Sequence, residues 1–134
     1  MRGFGAAAGT LRFAVLGHPA RHSLSPRMHA AAFRALAMDA TYEAIEVPPD
    51  RLERELERLH AEGYAGMNLT TPHKERALAL VAGTTPEARA AGAVNTLRRE
   101  GDGWMGHTTD GLGFVAWAHE CGVRVPGARV LLVG

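Results

Sequence analysis

Apolar residues recur along this chain at two spacings, and the switching between them predicts its elements. "LRFAVLG" (11–17) is a short apolar run that ends in glycine, the pattern of a buried strand. Over residues 26–38, Met28, Ala32, Ala35 and Leu36 fall near one face of a helix. "TYEAIEV" (41–47) alternates as a strand does, and Pro48-Pro49 stops it. From Asp50 to Glu62, Leu52, Leu56 and Leu59 stand at helical spacing among charges, which predicts an amphipathic helix. "YAGMNLT" (64–70) reads as a strand, followed by a proline-opened helix from Pro72 to Val81 and a short helix over 86–91. "AVNTLRRE" and "GWMGHTT" read as two strands joined by the hairpin turn "EGDG". A helix over Gly111–Cys121 and an apolar strand, "ARVLLVG", close the chain.

The alternation predicts an α/β fold: a mostly parallel open sheet flanked by helices, with one antiparallel hairpin. Ligands of such sheets sit beyond the carboxyl ends of the strands, where loops enter helices. The polar loops after residues 16, 70 and 107 all fall at such ends, which points to a single site.

Length and charge narrow the function classes. A chain of 134 residues suits one domain with a real core. The 15 basic and 14 acidic residues leave a net charge of +1, against a nucleic-acid or membrane-surface partner held by bulk charge. The lone Cys121 excludes an internal disulfide and fits a reducing compartment. The opening "MRGFGAAAGT" lacks the apolar core of a secretory signal and reads as a flexible N-terminus (1–10). The sequon "NLT" is then a coincidence, and the expected location is cytoplasmic. The last residues, "VLLVG", look like the opening of a dinucleotide-binding strand without its glycine-rich loop, which suggests truncation at a domain boundary.

Several loops carry candidate chemistry. In "RHSLSPRMH" (21–29), Ser25 before Pro26 reads as a helix cap and Ser23 as a turn residue. The two hydroxyls beside a helix N-terminus would equally suit a small carboxylate, and the two roles are compatible. "MNLTTPHK" delivers Thr70 and Thr71 from a strand and sets Lys74 in the first turn of the next helix, where the dipole opposes a cation. A solvated surface lysine and an acid/base group both stay open there. Asn95, in "GAVNT", occupies a strand position where an apolar side chain is expected, so its amide needs partners. Asp110 stands ahead of a helix as an N-cap, or as the opposite charge to Lys74 in a pair that moves a proton. The seven histidines show no metal-ligand spacing, and no metal is expected. Cys121 reads as a packing residue, and Trp104 and Trp117 as cover for the sheet.

"GHPARHSLSPRMH", "GMNLTTPHK", "GAVNT" and "GHTTDGLGF", in this order, resemble the amino-terminal substrate-binding domain of the shikimate dehydrogenase family, over residues 11–134. Members reduce 3-dehydroshikimate to shikimate with NADPH, in the route to aromatic amino acids, in a cleft between this domain and a Rossmann domain. The resemblance implies a substrate-binding domain over 11–122, with 123–134 a linker and the first strand of a truncated dinucleotide-binding domain. The rest of that NADP domain would be missing after residue 134, and this segment alone would be inactive. By motif, Ser23 and Ser25 would bind the substrate carboxylate, Thr70, Asn95 and Asp110 its ring hydroxyls, and Lys74 with Asp110 would handle the proton. Gly134 would be the first glycine of the NADP loop. The implied partner is the small-molecule substrate, with a homodimer kept as the assembly to test. Two departures stand out: Thr108 replaces the asparagine of the usual GxNTD, and Ala30 follows the histidine of "SPRMH". A quinate or aminoshikimate dehydrogenase and a non-catalytic hydroxy-acid-binding module remain the alternatives.

Overall fold

A computed structural model of the chain describes residues 9–131 and 133. Its elements run β1 (Leu11–Gly17), α1 (Ser25–Ala35), β2 (Ala40–Glu46), α2 (Leu52–Ala61), β3 (Gly66–Leu69), β4 (Gly83–Thr84), α3 (Pro86–Ala91), β5 (Thr96–Glu100), β6 (Gly103–His107) and α4 (Asp110–Glu120). Six strands form one sheet in the order β2-β1-β3-β5-β6-β4. The pairs β1–β2, β1–β3 and β4–β6 are parallel, whereas β5 runs against both its neighbours, β3 and β6. The predicted hairpin is β5–β6, closed at Glu100 and Gly103, with Gly101 at a positive φ of 55°. The α/β class and the mostly parallel sheet with its single reversed strand match the expectation.

Strand alternation divides the sheet into two faces. Ala14, Leu16, Met67, Leu69, Leu97 and Trp104 join Leu52, Leu56 and Leu59 of α2 in one buried cluster. Trp104 also donates its indole N–H to the Leu56 carbonyl at 3.1 Å, tying β6 to α2. On the opposite face Phe13 meets Phe33 of α1, ring centres 5.6 Å apart, and His29 stacks on Tyr42 at 4.2 Å.

Four expectations change. The face of α1 built from Met28, Ala32, Ala35 and Leu36 points to solvent, Met28 and Leu36 being 61% and 68% exposed, and the helix buries no residue fully. Its inward face is His29 and Phe33, because aromatic contact with the sheet outweighs the weak pull of alanines. The helix expected over 72–81 is instead a series of turns ending in a 3-10 segment, Arg76–Ala79. Two of its groups are committed elsewhere: the Lys74 carbonyl accepts from Val94 N at 2.8 Å, and the buried His73 ring donates from Nε2 to the Val47 carbonyl at 2.8 Å. Asn95 precedes β5 rather than lying within it. Finally, no strand forms over the described part of 123–133, where Val130, Leu131 and Val133 are strongly exposed. Of the N-terminal stretch expected over 1–10, residues 1–8 lie outside the described residues, as do Leu132 and Gly134 with its cofactor-loop assignment.

Candidate active site

The carboxyl ends of β1, β3 and β6 open on one edge of the sheet, and the reversal of β5 brings its amino end to the same edge. β1 ends at Gly17, one residue beyond its last pair with β3, Leu16 with Leu69. A Cβ there would lie 2.4 Å from Thr70 Cγ2, so only glycine lets the two loops cross so closely.

Ser23 and Ser25 both border the cleft at the start of α1. Their local roles are the reverse of the sequence expectation. Ser25 is the first residue of the helix and Leu24 holds the N-cap position without a side-chain bond. It is the Ser23 hydroxyl that accepts from the Ser25 amide, at 3.2 Å. The Ser25 side chain caps no amide; it lies on the cleft wall near the Tyr42 phenol, whose burial pushes its titration well above the ordinary tyrosine value.

At the other end, Lys74 Nζ donates to Asp110 Oδ2 at 2.7 Å. Asp110 is not an N-cap, since α4 begins at Asp110 itself and Thr109 holds the cap position. Its second oxygen, Oδ1, accepts from Asn95 Nδ2 at 2.7 Å. The Asn95 amide is buried and fully engaged, because Nδ2 also donates to Thr109 Oγ1 and Oδ1 accepts from Thr109 N and Thr96 Oγ1. Its amide orientation is thereby set by four partners.

The Lys74 bond, with help from Asn95, holds the Asp110 carboxyl below its usual 3.8, while partial burial works against this. A carboxyl depressed on folding stabilises the folded state above its unfolded value and loses that contribution as pH falls through its folded value. The Tm gap between the wild-type chain and Asp110→Asn is therefore expected to stay constant above about pH 5 and to close in acid. Half the Asp110 side chain is exposed, so the gap itself is small. A gap that widens below pH 4 would contradict this assignment of charge.

Ser23, Ser25, Thr70, Lys74, Asn95 and Asp110 all line one cleft of about 660 Å³. This is the size range of small-molecule sites. The same walls hold residues that the sequence did not single out: Asn68, Thr96, Thr109, His22 and His29. Asn68 Oδ1 accepts from the Tyr42 hydroxyl at 2.6 Å, and its Nδ2 donates to Thr96 Oγ1 at 3.1 Å. A signal was present, since Asn68 interrupts the apolar strand "GMNL" as Asn95 interrupts its own segment. Thr108, the departure in the Asp110 loop, leaves the Asp110 contacts in place.

Elsewhere, Trp104 is buried as expected, but Trp117 is 60% exposed and Cys121 is exposed rather than packed. Among the described residues no group of three or more histidine, cysteine or acidic residues could hold a metal ion, and no helix is long and apolar enough to cross a membrane. The helices that open on the cleft, α1 and α4, begin at the last residues of "RHSLS" and "GHTTD" rather than after a glycine-rich turn. The described residues therefore do not fit a dinucleotide phosphate site.

The family model described as the shikimate dehydrogenase substrate binding domain matches residues 15–97. A curated relative from an Anaeromyxobacter species, named shikimate dehydrogenase (NADP(+)), is 49% identical over 125 residues, 93% of this chain and 44% of its own length. The crystal structure of shikimate 5-dehydrogenase from Thermus thermophilus in complex with NADP(H) and shikimate is 43% identical, with a TM-score of 0.80 over 86% of this chain and 44% of that one. The enzyme from Listeria monocytogenes in complex with shikimate and NAD is 32% identical, with a TM-score of 0.81 over 92% of this chain and 43% of that one. The chain thus spans less than half the length of these relatives.

Proposed function

Since this chain belongs to the family of shikimate dehydrogenase substrate-binding domains, we propose that it is the substrate half of an NADP-dependent shikimate dehydrogenase, interconverting 3-dehydroshikimate and shikimate. The observation that carries the reading is the meeting, in one cleft, of six side chains from separate stretches of sequence, with Lys74 and Asp110 paired at 2.7 Å. The Ser23 and Ser25 hydroxyls, at the positive end of the α1 dipole, take the ring's carboxylate, one oxygen each. Thr70, Asn95 and Asp110 take the ring hydroxyls. Asn95, whose own bonds are filled, contributes chiefly by holding Asp110 and releases a bond from Thr109 when a hydroxyl arrives.

Lys74 is the acid/base group at the C3 oxygen. An ammonium has three protons to donate and one goes to Asp110, so two remain for the substrate oxygen. When the ketone is reduced the Lys74–Asp110 pair gives up a proton to that oxygen, and when the alcohol is oxidised the pair takes it back. A bound NADPH would supply the hydride, and the described residues offer no site for its phosphates. Residues 11–122 make up the substrate-binding domain on this reading, and a cytoplasmic location accords with the single cysteine.

Titration of the 134-residue chain with shikimate tests the proposal. Ser23→Ala and Ser25→Ala are each expected to weaken binding by about 1.5–3 kcal/mol, the range for a hydrogen bond to an anion. The uncharged methyl ester should be affected much less. Because Ser23 carries the local turn bond, Ser23→Ala is expected to lower stability by about 0.5–1 kcal/mol and Ser25→Ala to lower it less. Equal losses for shikimate and its ester would remove the serines from the carboxylate.

A further inference from the structure

The serine loop is itself held by something outside it. Glu46, the last residue of β2, reaches across to residues 18–20 with both oxygens. Oε2 accepts from the Ala20 amide at 2.9 Å, and Oε1 faces His18 Nδ1 at 2.9 Å. Glu46 and His18 are both more than two-fifths exposed, so their ion pair alone is worth little. The Ala20 amide is different. Ala20 is only 2% exposed, and a buried N–H cut off from water needs an acceptor.

The bonds continue from there. The Ala20 carbonyl accepts from Ser23 N at 3.0 Å, and Ser23 Oγ accepts from Ser25 N at 3.2 Å. A single line of hydrogen bonds runs from the end of β2 through Ala20 to both serines. The acceptor at its origin is an anion, which makes that first bond a strong one. The amides of Ala20 and Arg21 hold the Glu46 carboxyl below its ordinary value, consistent with a carboxylate engaged in this way.

We propose that Glu46 is the positioning residue for the anion-binding end of the cleft: through the Ala20 amide it fixes the turn that aims Ser23 and Ser25 at a ligand carboxylate. It touches no substrate atom, and it acts on the carboxylate end rather than on Lys74 and Asp110. The inference rests on the proposed substrate and adds to it a residue that no comparison of ligand-lining side chains would pick out.

The test uses the 15N-labelled 134-residue chain, titrated by NMR with shikimate and with its methyl ester. Glu46→Ala and Glu46→Ser are both too short to reach Ala20. Each is expected to weaken shikimate binding about tenfold, as loss of a charge-assisted bond does, and to leave ester binding unchanged. Glu46→Gln, which still offers an oxygen to the Ala20 amide, is expected to stay within about twofold of wild type. Hydrogen exchange at Ala20, Ser23 and Ser25, read without ligand, should speed up in the short variants only. Unchanged exchange in Glu46→Ala and Glu46→Ser, or an equal loss for acid and ester, would overturn the positioning role. A wild-type chain that ignores shikimate while exchange follows Glu46 as stated would overturn the proposed substrate instead.

Discussion

Replacing Lys74 with alanine in the intact enzyme is expected to lower kcat by about a hundredfold or more, the range for loss of a general acid or base. The affinity for shikimate should fall much less, because the carboxylate end of the cleft, at Ser23 and Ser25, is untouched. The geometry gives the reason. Lys74 is the cation of the cleft closest to Asp110, and its amine is the proton donor within that pair. Asp110, already a carboxylate below its usual range, has no proton to give in its place. Lys74→Arg should not rescue the rate, since a guanidinium keeps the charge but does not release a proton in this pH range. Steady-state kinetics and equilibrium binding separate the cases. A nearly normal kcat with only a raised KM would make Lys74 a binding residue and remove it from the proton transfer.

Gly17→Ala is expected to damage both fold and site, costing about 1–3 kcal/mol of stability, as overpacking of a well-filled position does. The added carbon would fall 2.4 Å from Thr70 Cγ2 and 3.4 Å from the Thr71 carbonyl. Thr70 has one short side chain and cannot move aside without withdrawing its hydroxyl from the cleft. Shikimate affinity should therefore drop about tenfold or more, roughly one lost hydrogen bond to a bound ligand. Gly113→Ala is the control, because a Cβ there meets nothing within 4 Å and α4 gains a better helix former. Thermal unfolding and shikimate titration of the two variants decide it. A Gly17→Ala chain that melts and binds like wild type would show that the loops have room to separate.

The parts of this fold that were legible in the sequence were those decided by burial. β1 and the leucine stripe of α2 declare themselves because their buried positions are apolar, and the hairpin does so through Gly101 and Gly103. α1 misleads because alanines surround it, and its orientation is chosen by Phe33 and His29 against aromatic residues far away in the chain. The segment after Pro72 reads as helix by composition, yet the Lys74 carbonyl and the His73 ring are claimed by Val94 and Val47, partners that no local pattern announces. Local signals also misassign the caps: Ser25 and Asp110 look like N-caps, yet Leu24 and Thr109 hold those positions, and the Asp110 carboxylate bonds Lys74 and Asn95. The polar residues of the cleft were visible as interruptions of apolar strands. Tyr42 and Glu46, set in an ordinary alternating strand, carried no such mark.

The reversed strand β5 has a consequence for the order in which the cleft comes together. Asn95 and Asp110 are 15 residues apart and lie at the open end of one hairpin, so their contact closes a short loop. The carboxylate end depends instead on β1–β2, a parallel pairing whose crossover includes all of α1, and Glu46 meets Ala20 across 26 residues. Chain-closure entropy grows with loop length, and contacts that are local in sequence form earlier. Within the half of the cleft proposed to handle the proton, the Asn95–Asp110 contact can thus form early, in a 16-residue stretch, and Lys74 joins it from 36 residues away. The half proposed to bind the anion is complete only when the long-range sheet has closed around it.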